Sequence, residues 1–110
     1  MTQIDFNEFK KIELRAGKIL SAEEIEGKDK IYKLNVDIGE EERTIVAGVA
    51  EYYKTEELEG KMIVVVKNLK PAKIAGIKSE GMLLAAYDDK ENICVLISPE
   101  KEVKPGMQVG

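Results

Sequence analysis

The 110-residue sequence contains no histidine, no tryptophan and one cysteine. Without an imidazole, the chain cannot form a Ser-His-Asp or Cys-His catalytic site or a histidine-ligated zinc site. One thiol excludes a disulfide framework within the chain and a zinc–thiolate cluster, and it favours a reducing compartment. These absences favour a cytoplasmic protein that is not an enzyme and has no metal and no cofactor.

Long apolar runs are also missing. No stretch of about 18 consecutive apolar residues occurs, so we expect no membrane span. Residues 1–20 carry charged side chains throughout, where a signal peptide would have an apolar region. We therefore expect neither secretion nor a membrane partner.

Acidic residues are absent from one part of the chain. Residues 60–79 contain no Asp or Glu and five lysines, namely Lys61, Lys67, Lys70, Lys73 and Lys78. Because the whole chain carries −4 and this segment +5, the rest carries −9. Such segregation is typical of a phosphate-binding surface on a body that otherwise repels anions. A solvated lysine-rich strand and loop is the alternative that composition leaves open.

Aromatic residues are few: four tyrosines and two phenylalanines. An oligonucleotide-binding domain that grips single strands uses more aromatic surface for base stacking. Phe6 and Phe9 share one face of a predicted N-terminal helix with Ile12, and we expect the two phenylalanines to be core residues. A nucleic-acid partner would therefore be recognised by shape and backbone more than by stacking.

Hydrophobic periodicity predicts an all-β fold. The pattern indicates strands over residues 14–25, 32–38 and 44–49, a short helix within 50–59, a strand over 62–66, and a last hairpin over 82–97. The first strand is expected to bend near Gly17, and residues 68–81 are expected to form a long loop. Three strands, a short helix and two more strands is the order of an OB-fold, a five-stranded Greek-key barrel with a helix between strands 3 and 4. The N-terminal helix and the C-terminal segment are additions to it.

The segment 68–86 carries a family resemblance. It runs Asn-Leu-Lys-Pro-Ala-Lys-Ile-Ala-Gly-Ile-Lys-Ser-Glu-Gly-Met-Leu-Leu-Ala-Ala and resembles the signature of the tRNA-binding domain at the C-terminus of methionyl-tRNA synthetases. The same domain occurs as stand-alone dimeric tRNA-binding proteins and in endothelial-monocyte-activating-polypeptide cytokines. Further matching segments are residues 9–19, 29–32, 36–39, 43, 46–48, 56–61 and 99–110. Two departures are Glu26-Gly27, where many members have His-Pro, and Ala75, where many have a basic residue.

The resemblance implies a non-catalytic, structure-specific tRNA-binding protein that recognises the outer corner of tRNA. It implies either the β subunit of methionyl-tRNA synthetase or a free-standing accessory, with a separate synthetase chain as a possible partner. The candidate tRNA-binding residues are Lys30, Arg43, Asn68, Lys70, Lys73, Lys78, Ser79 and Met82.

These side chains differ in their expected roles. The lysines would meet phosphates, Asn68 and Ser79 would bond bases or 2′-hydroxyls, and Met82 would cover an exposed base. Alternatives remain open for three of the candidates. Arg43 pairs equally well with the glutamates at 40–42, Asn68 can brace the loop backbone, and Met82 can be a core residue.

Two further alternatives remain at the level of function and assembly. A peptide-binding, secretion-type chaperone on the same barrel would use an exposed apolar groove instead of the lysines. A secreted cytokine-like fragment is disfavoured by the charged N-terminal segment. We predict one domain over residues 1–110 and a homodimer built by the extensions 1–12 and 99–110. A monomer whose two ends plug the barrel is the alternative.

Overall fold

The computed structural model describes residues 2–110, and these residues are mostly β-structure. Two single-turn helices are present, α1 (Phe6–Phe9) and α2 (Thr55–Leu58). The strands are β1 (Leu14–Ile25), β2 (Lys28–Asp37), β3 (Glu42–Ala47), β4 (Met62–Val66), β5 (Ala72–Ile74), β6 (Ile77–Ser79), β7 (Met82–Leu83), β8 (Ala85–Asp88), β9 (Ile93–Leu96) and β10 (Gln108–Val109). The predicted all-β class, with a short helix between the third and fourth strands, is confirmed.

The main sheet is antiparallel and is ordered β3-β2-β1-β4-β7, with β10 also paired to β1. The long strand β1 shifts register against β2 between Ile19 and Ser21 and again between Glu24 and Ile25, so its irregularities lie beyond Gly17, near which a bend or bulge was expected. Gly17 serves a different purpose, because a Cβ built there would lie 2.8 Å from Val36 Cγ1. The glycine therefore permits close packing of β1 against β2.

The core lies on the concave side of this sheet. Alternate residues of β2 are buried, and so are the three central residues of β4, as their sequence patterns predict. The most deeply buried large side chains are Ile19, Leu34, Val36, Ile45, Leu58, Ile63 and Val65. Each such side chain contributes roughly 1.5–3 kcal/mol relative to exposure. Leu58 brings α2 into this core as its one buried residue.

The two outer strands of the sheet, β3 and β7, approach each other without pairing as strands. The Glu80 N–H donates to Thr44 O at 2.8 Å, and the Val46 N–H donates to Ser79 Oγ at 3.0 Å. The residues just before β7 are thereby bonded to β3, and the sheet curls upon itself. The closed Greek-key barrel stays a prediction.

Two expectations are wrong. Helix α1 has no buried residue, and Phe6 and Phe9 are 71% and 40% exposed, so neither belongs to the core. The apolar face of α1 is therefore not packed into the core of the sheet. The segment 68–81 is also not an irregular loop, because β5 and β6 form a hairpin within it.

Candidate nucleic-acid interface

The hairpin β5–β6 presents two lysines side by side. Lys73 and Lys78 are register partners, so their side chains leave the same face of the hairpin. Like charges directly opposite each other destabilise an antiparallel pair. A surface that keeps this arrangement is suited to hold an anion between or above the two ammonium groups.

The turn of this hairpin positions the pair. Ala75 and Gly76 connect the strands and have φ angles of 51° and 78°. Two consecutive positive φ values are typical of a type I′ turn, whose twist matches that of the flanking strands. Ala75 is not a usual residue for that turn, which is why the sequence pattern did not indicate a hairpin.

Four candidate lysines are exposed: Lys30, Lys70, Lys73 and Lys78. None of them has an ion-pair partner among residues 2–110. Lys30 lies near the start of β2, where its carbonyl accepts a hydrogen bond from Ala50 N–H at 3.2 Å. The structure thus offers four uncompensated ammonium groups for phosphate contacts.

The two other lysines of the acid-free segment are engaged within the chain. Lys67 Nζ lies 3.7 Å from Glu13 Oε1 and 3.8 Å from Glu40 Oε1. Lys61 Nζ lies 5.9 Å from the centre of the Tyr53 ring. The positive charge that is free for a ligand is therefore smaller than the composition of residues 60–79 suggests.

Arg43 connects the two ends of the lysine-bearing segment, by which we mean residues 67–80. Its Nη1 donates to the carbonyl oxygens of Lys67 and Glu80, both at 3.0 Å, and its Nη2 donates to Glu41 Oε1 at 2.9 Å. This last hydrogen bond and the charge of Arg43 lower the pKa of Glu41. The structure thus favours the alternative in which Arg43 pairs within the chain.

Ser79 and Asn68 also have intramolecular partners. Ser79 is buried, its hydroxyl accepts the bond from Val46 N–H, and it donates to Gly81 O at 3.4 Å. Asn68 is exposed, but its Oδ1 accepts from Glu13 N–H at 2.8 Å and its Nδ2 donates to Lys11 O. Both side chains thus bond to backbone groups at either side of the segment that carries the lysines.

Met82 is 52% exposed, so it is not a core residue. It borders a cleft of about 310 Å³, which we call the loop cleft. The loop cleft is lined by Val46, Ala47, Gly48, Leu69, Lys70, Ala72, Ile74, Ser79, Gly81, Met82 and Leu83. Sequence reasoning missed this cleft, because its walls come from three separated parts of the chain.

Side chains along the hairpin β5–β6 alternate between the face that lines the cleft and the face that carries the paired lysines. Ala72 and Ile74 line the cleft, whereas Lys73, between them, must leave the opposite face. Lys70 is the one charged residue in the lining. The loop cleft is therefore mainly apolar, with Lys70 in its lining and with Lys73 and Lys78 on the other face of the hairpin.

Within residues 2–110, no group of three or more Asp, Glu or Cys side chains is placed to hold a metal ion. No helix in the same range is long and apolar enough to cross a membrane. Cys94 is a half-buried free thiol that packs against the core.

The site therefore consists of a curled β-sheet, a hairpin with two paired lysines and a mainly apolar cleft. Comparison with known proteins specifies the class of protein. The family described as "Putative tRNA binding domain" matches residues 14–108, and the chain belongs to this family.

The sequence relatives are methionine–tRNA ligases. The chain is 50% identical to that of Archaeoglobus fulgidus over 107 residues and 49% identical to that of Methanocaldococcus jannaschii over 109 residues. These alignments cover 97% and 99% of this chain but only 16% and 17% of the two ligases. The chain thus spans about a sixth of the length of these relatives.

Two of the solved structures that it resembles are matched over their whole length. A MetRS-related protein from Pyrococcus horikoshii is 43% identical with a TM-score of 0.93, and the match covers 100% of both chains. The chaperone CsaA from Bacillus anthracis is 30% identical with a TM-score of 0.90, covering 99% of this chain and 100% of that chain. The fold alone therefore does not separate the two functions named for these neighbours.

Proposed function

We propose that this chain is a non-catalytic tRNA-binding module that recognises the outer corner of tRNA by shape and phosphates. The observation that carries the proposal is the pair Lys73 and Lys78, held directly opposite each other without a carboxylate partner. Lys30 and Lys70 extend the phosphate-binding surface, and Met82 contributes apolar contact. Arg43, Asn68 and Ser79 support this surface from within the chain.

The proposal includes the fold and the biological setting. The curled sheet is an OB-fold barrel over one domain, residues 1–110, and the protein works in the cytoplasm. It acts as the β subunit of methionyl-tRNA synthetase or as a free-standing accessory of that enzyme. Family membership and the ligase relatives support this setting.

The double variant Lys73→Glu/Lys78→Glu tests the site. We expect it to lose nearly all tRNA affinity while its free energy of unfolding stays within about 0.5 kcal/mol of the wild-type value, because both side chains are exposed. Lys54→Glu/Lys90→Glu is the matched control, since it makes the same charge change at exposed positions outside the hairpin. Equal loss in both variants would show a general charge effect, and unaltered binding by the hairpin variant would exclude this site.

A second prediction concerns what is read on the RNA. Two tRNAs with different anticodons should bind within about tenfold of each other, about 1.4 kcal/mol. The reason is that few aromatic side chains are present for base recognition. A minihelix without the tRNA elbow should bind much more weakly in the same gel-shift series. A strong preference for one anticodon, with the elbow unimportant, contradicts the proposal.

Peptide binding is the second candidate function. It is favoured by the similarity to the chaperone CsaA and by the apolar lining of the loop cleft. Salt separates the two candidates. Binding through a handful of phosphates gives a log–log salt slope of about −3 to −6, whereas capture of unfolded peptides by apolar contact should depend little on salt.

A further inference from the structure

The loop cleft has a shape and lining that phosphate contacts alone do not require. Its floor is the end of β3 and Gly48, and its walls are the segment 69–74 and the start of β7. Leu69, Ile74 and Met82 are 45%, 37% and 52% exposed there. These side chains leave apolar surface in contact with water at the border of a charged site.

The floor of the cleft is kept open by a glycine. A Cβ built on Gly48 meets no heavy atom within 4 Å, and the backbone there does not have a positive φ. The fold therefore does not require glycine at this position for steric or conformational reasons. Because Gly48 lines the cleft, a larger residue there would add side-chain volume at the cleft without a clash at its Cβ.

The charge of the lining indicates the occupant. Lys70 is the one charged residue of the lining, which contains no acid. A ligand that matches this surface has a flat apolar body joined to an anion. Nucleotides have this chemistry, with a base that has two apolar faces and a phosphate attached through the sugar.

We propose that the loop cleft holds one unpaired base of the bound tRNA, with an adjoining phosphate at Lys70. This inference rests on the proposed function and names the part of the RNA that the site takes. The lining is aliphatic, and its one side-chain hydroxyl, Ser79 Oγ, is already bonded to the Val46 N–H. The cleft therefore accepts an unstacked base without strong selection among the four bases.

The test uses tRNA transcripts in which single unpaired positions of the elbow loops carry 2-aminopurine. This base fluoresces weakly when stacked between other bases and strongly when it leaves the stack. The loop cleft has no aromatic lining residue that would quench it. We expect wild-type protein to raise the fluorescence at one or two positions and not at the others.

The variant Gly48→Leu fills the cleft while keeping every lysine. We expect about tenfold weaker tRNA binding, equivalent to about 1.4 kcal/mol, loss of the fluorescence increase, and an unchanged salt slope. Ala86→Leu is the control, because it adds an aliphatic side chain at an exposed position outside the cleft. Should Gly48→Leu fail to fold, Met82→Ser removes one exposed wall and is expected to reduce both affinity and fluorescence.

The outcomes separate this inference from the proposed function. Salt-dependent tRNA binding that is equal in wild type and Gly48→Leu, with no position showing increased fluorescence, overturns the base site and leaves tRNA binding intact. Absence of tRNA binding by wild-type protein overturns both. If Gly48→Leu abolishes binding of an unfolded peptide and leaves tRNA binding unchanged, the cleft is a peptide site and the inference is wrong.

Discussion

At the scale of the residue, Arg43 is held by hydrogen bonds to three other residues of the chain. Its side chain is 18% exposed, and its guanidinium donates to the carbonyls of Lys67 and Glu80, which lie on either side of the lysines at 70, 73 and 78. Hydrogen bonds from a charged donor contribute roughly 1.5–3 kcal/mol each when they are well formed. We therefore regard Arg43 as a positioning residue.

We expect Arg43→Met to lower the free energy of unfolding by about 2 kcal/mol, because two carbonyls lose a charged donor. tRNA affinity should fall with an unchanged salt slope, since no phosphate contact is removed. Arg43→Lys is the matched control, because it keeps the charge but cannot bridge both carbonyls and Glu41. We expect its stability and tRNA affinity to be close to those of Arg43→Met. Full stability and affinity of Arg43→Lys would contradict the positioning role.

The ion pair between Arg43 and Glu41 makes the stability depend on pH. Because the pKa of Glu41 is lowered in the folded protein, its contribution is fully present above its ordinary pKa of 4.5 and is lost as pH falls through the lower, folded value. The unfolding free energy of Arg43→Met should therefore decline less than that of wild type below about pH 4.5. Denaturant titrations across this range measure the difference.

At the scale of the element, the hairpin β5–β6 contains a conformational conflict. Ala75 has a φ of 51°, a left-handed conformation that costs an L-residue other than Asn, Asp or Gly roughly 1–2 kcal/mol. Asn-Gly is the sequence most favoured in a type I′ turn. The chain thus accepts local strain at the turn that holds Lys73 opposite Lys78.

We expect Ala75→Asn to raise the free energy of unfolding by about 0.5–1 kcal/mol, with tRNA affinity unchanged or slightly improved. Ala75→Val is the opposite control and should destabilise, because a β-branched residue tolerates positive φ least. Chemical denaturation of the three proteins measures this order. Equal stability of all three would show that the turn does not have this conformation in solution.

At the scale of the whole molecule, the two terminal extensions meet. Strand β10 pairs with β1, and a small cleft of about 260 Å³ lies between α1 and residues 108–110. Phe6, Phe9 and Ile12 are 71%, 40% and 46% exposed at this place. We propose that residues 1–12 and 99–110 form a two-fold interface; Met1, within the first segment, lies outside the described residues.

We expect the intact protein to be a dimer at about tens of micromolar, because a symmetric pair buries these exposed rings. Phe6→Asp should give a monomer, as should truncation after Ser98, measured as mass in solution. Val95→Asp is the control at an exposed apolar position on the hairpin β8–β9. Dissociation by Val95→Asp alone would place the interface on that hairpin, and a monomeric wild type that still binds one tRNA tightly would exclude the dimer.

The sequence by itself determined the features that depend on local order along the chain. Alternation in β2 and the apolar run of β4 predicted their burial correctly, since side-chain direction in a strand follows from position alone. The missing histidines excluded catalytic and metal sites that need an imidazole, and the acid-free segment indicated where positive charge is concentrated. The motif over residues 68–86 indicated the family that the comparisons confirm.

Only the tertiary structure decided which side chains have partners within the chain. Ser79 and Arg43 look like ligand-binding groups in the sequence, but their polar atoms are bonded to backbone far along the chain. Phe6 and Phe9 look like core residues, but a single-turn helix leaves them exposed. The loop cleft, too, exists only once β3, the segment 69–74 and β7 are brought together. The physical reason is common to these cases: burial and hydrogen bonding are set by neighbours in space, and a linear pattern specifies neighbours only within one element.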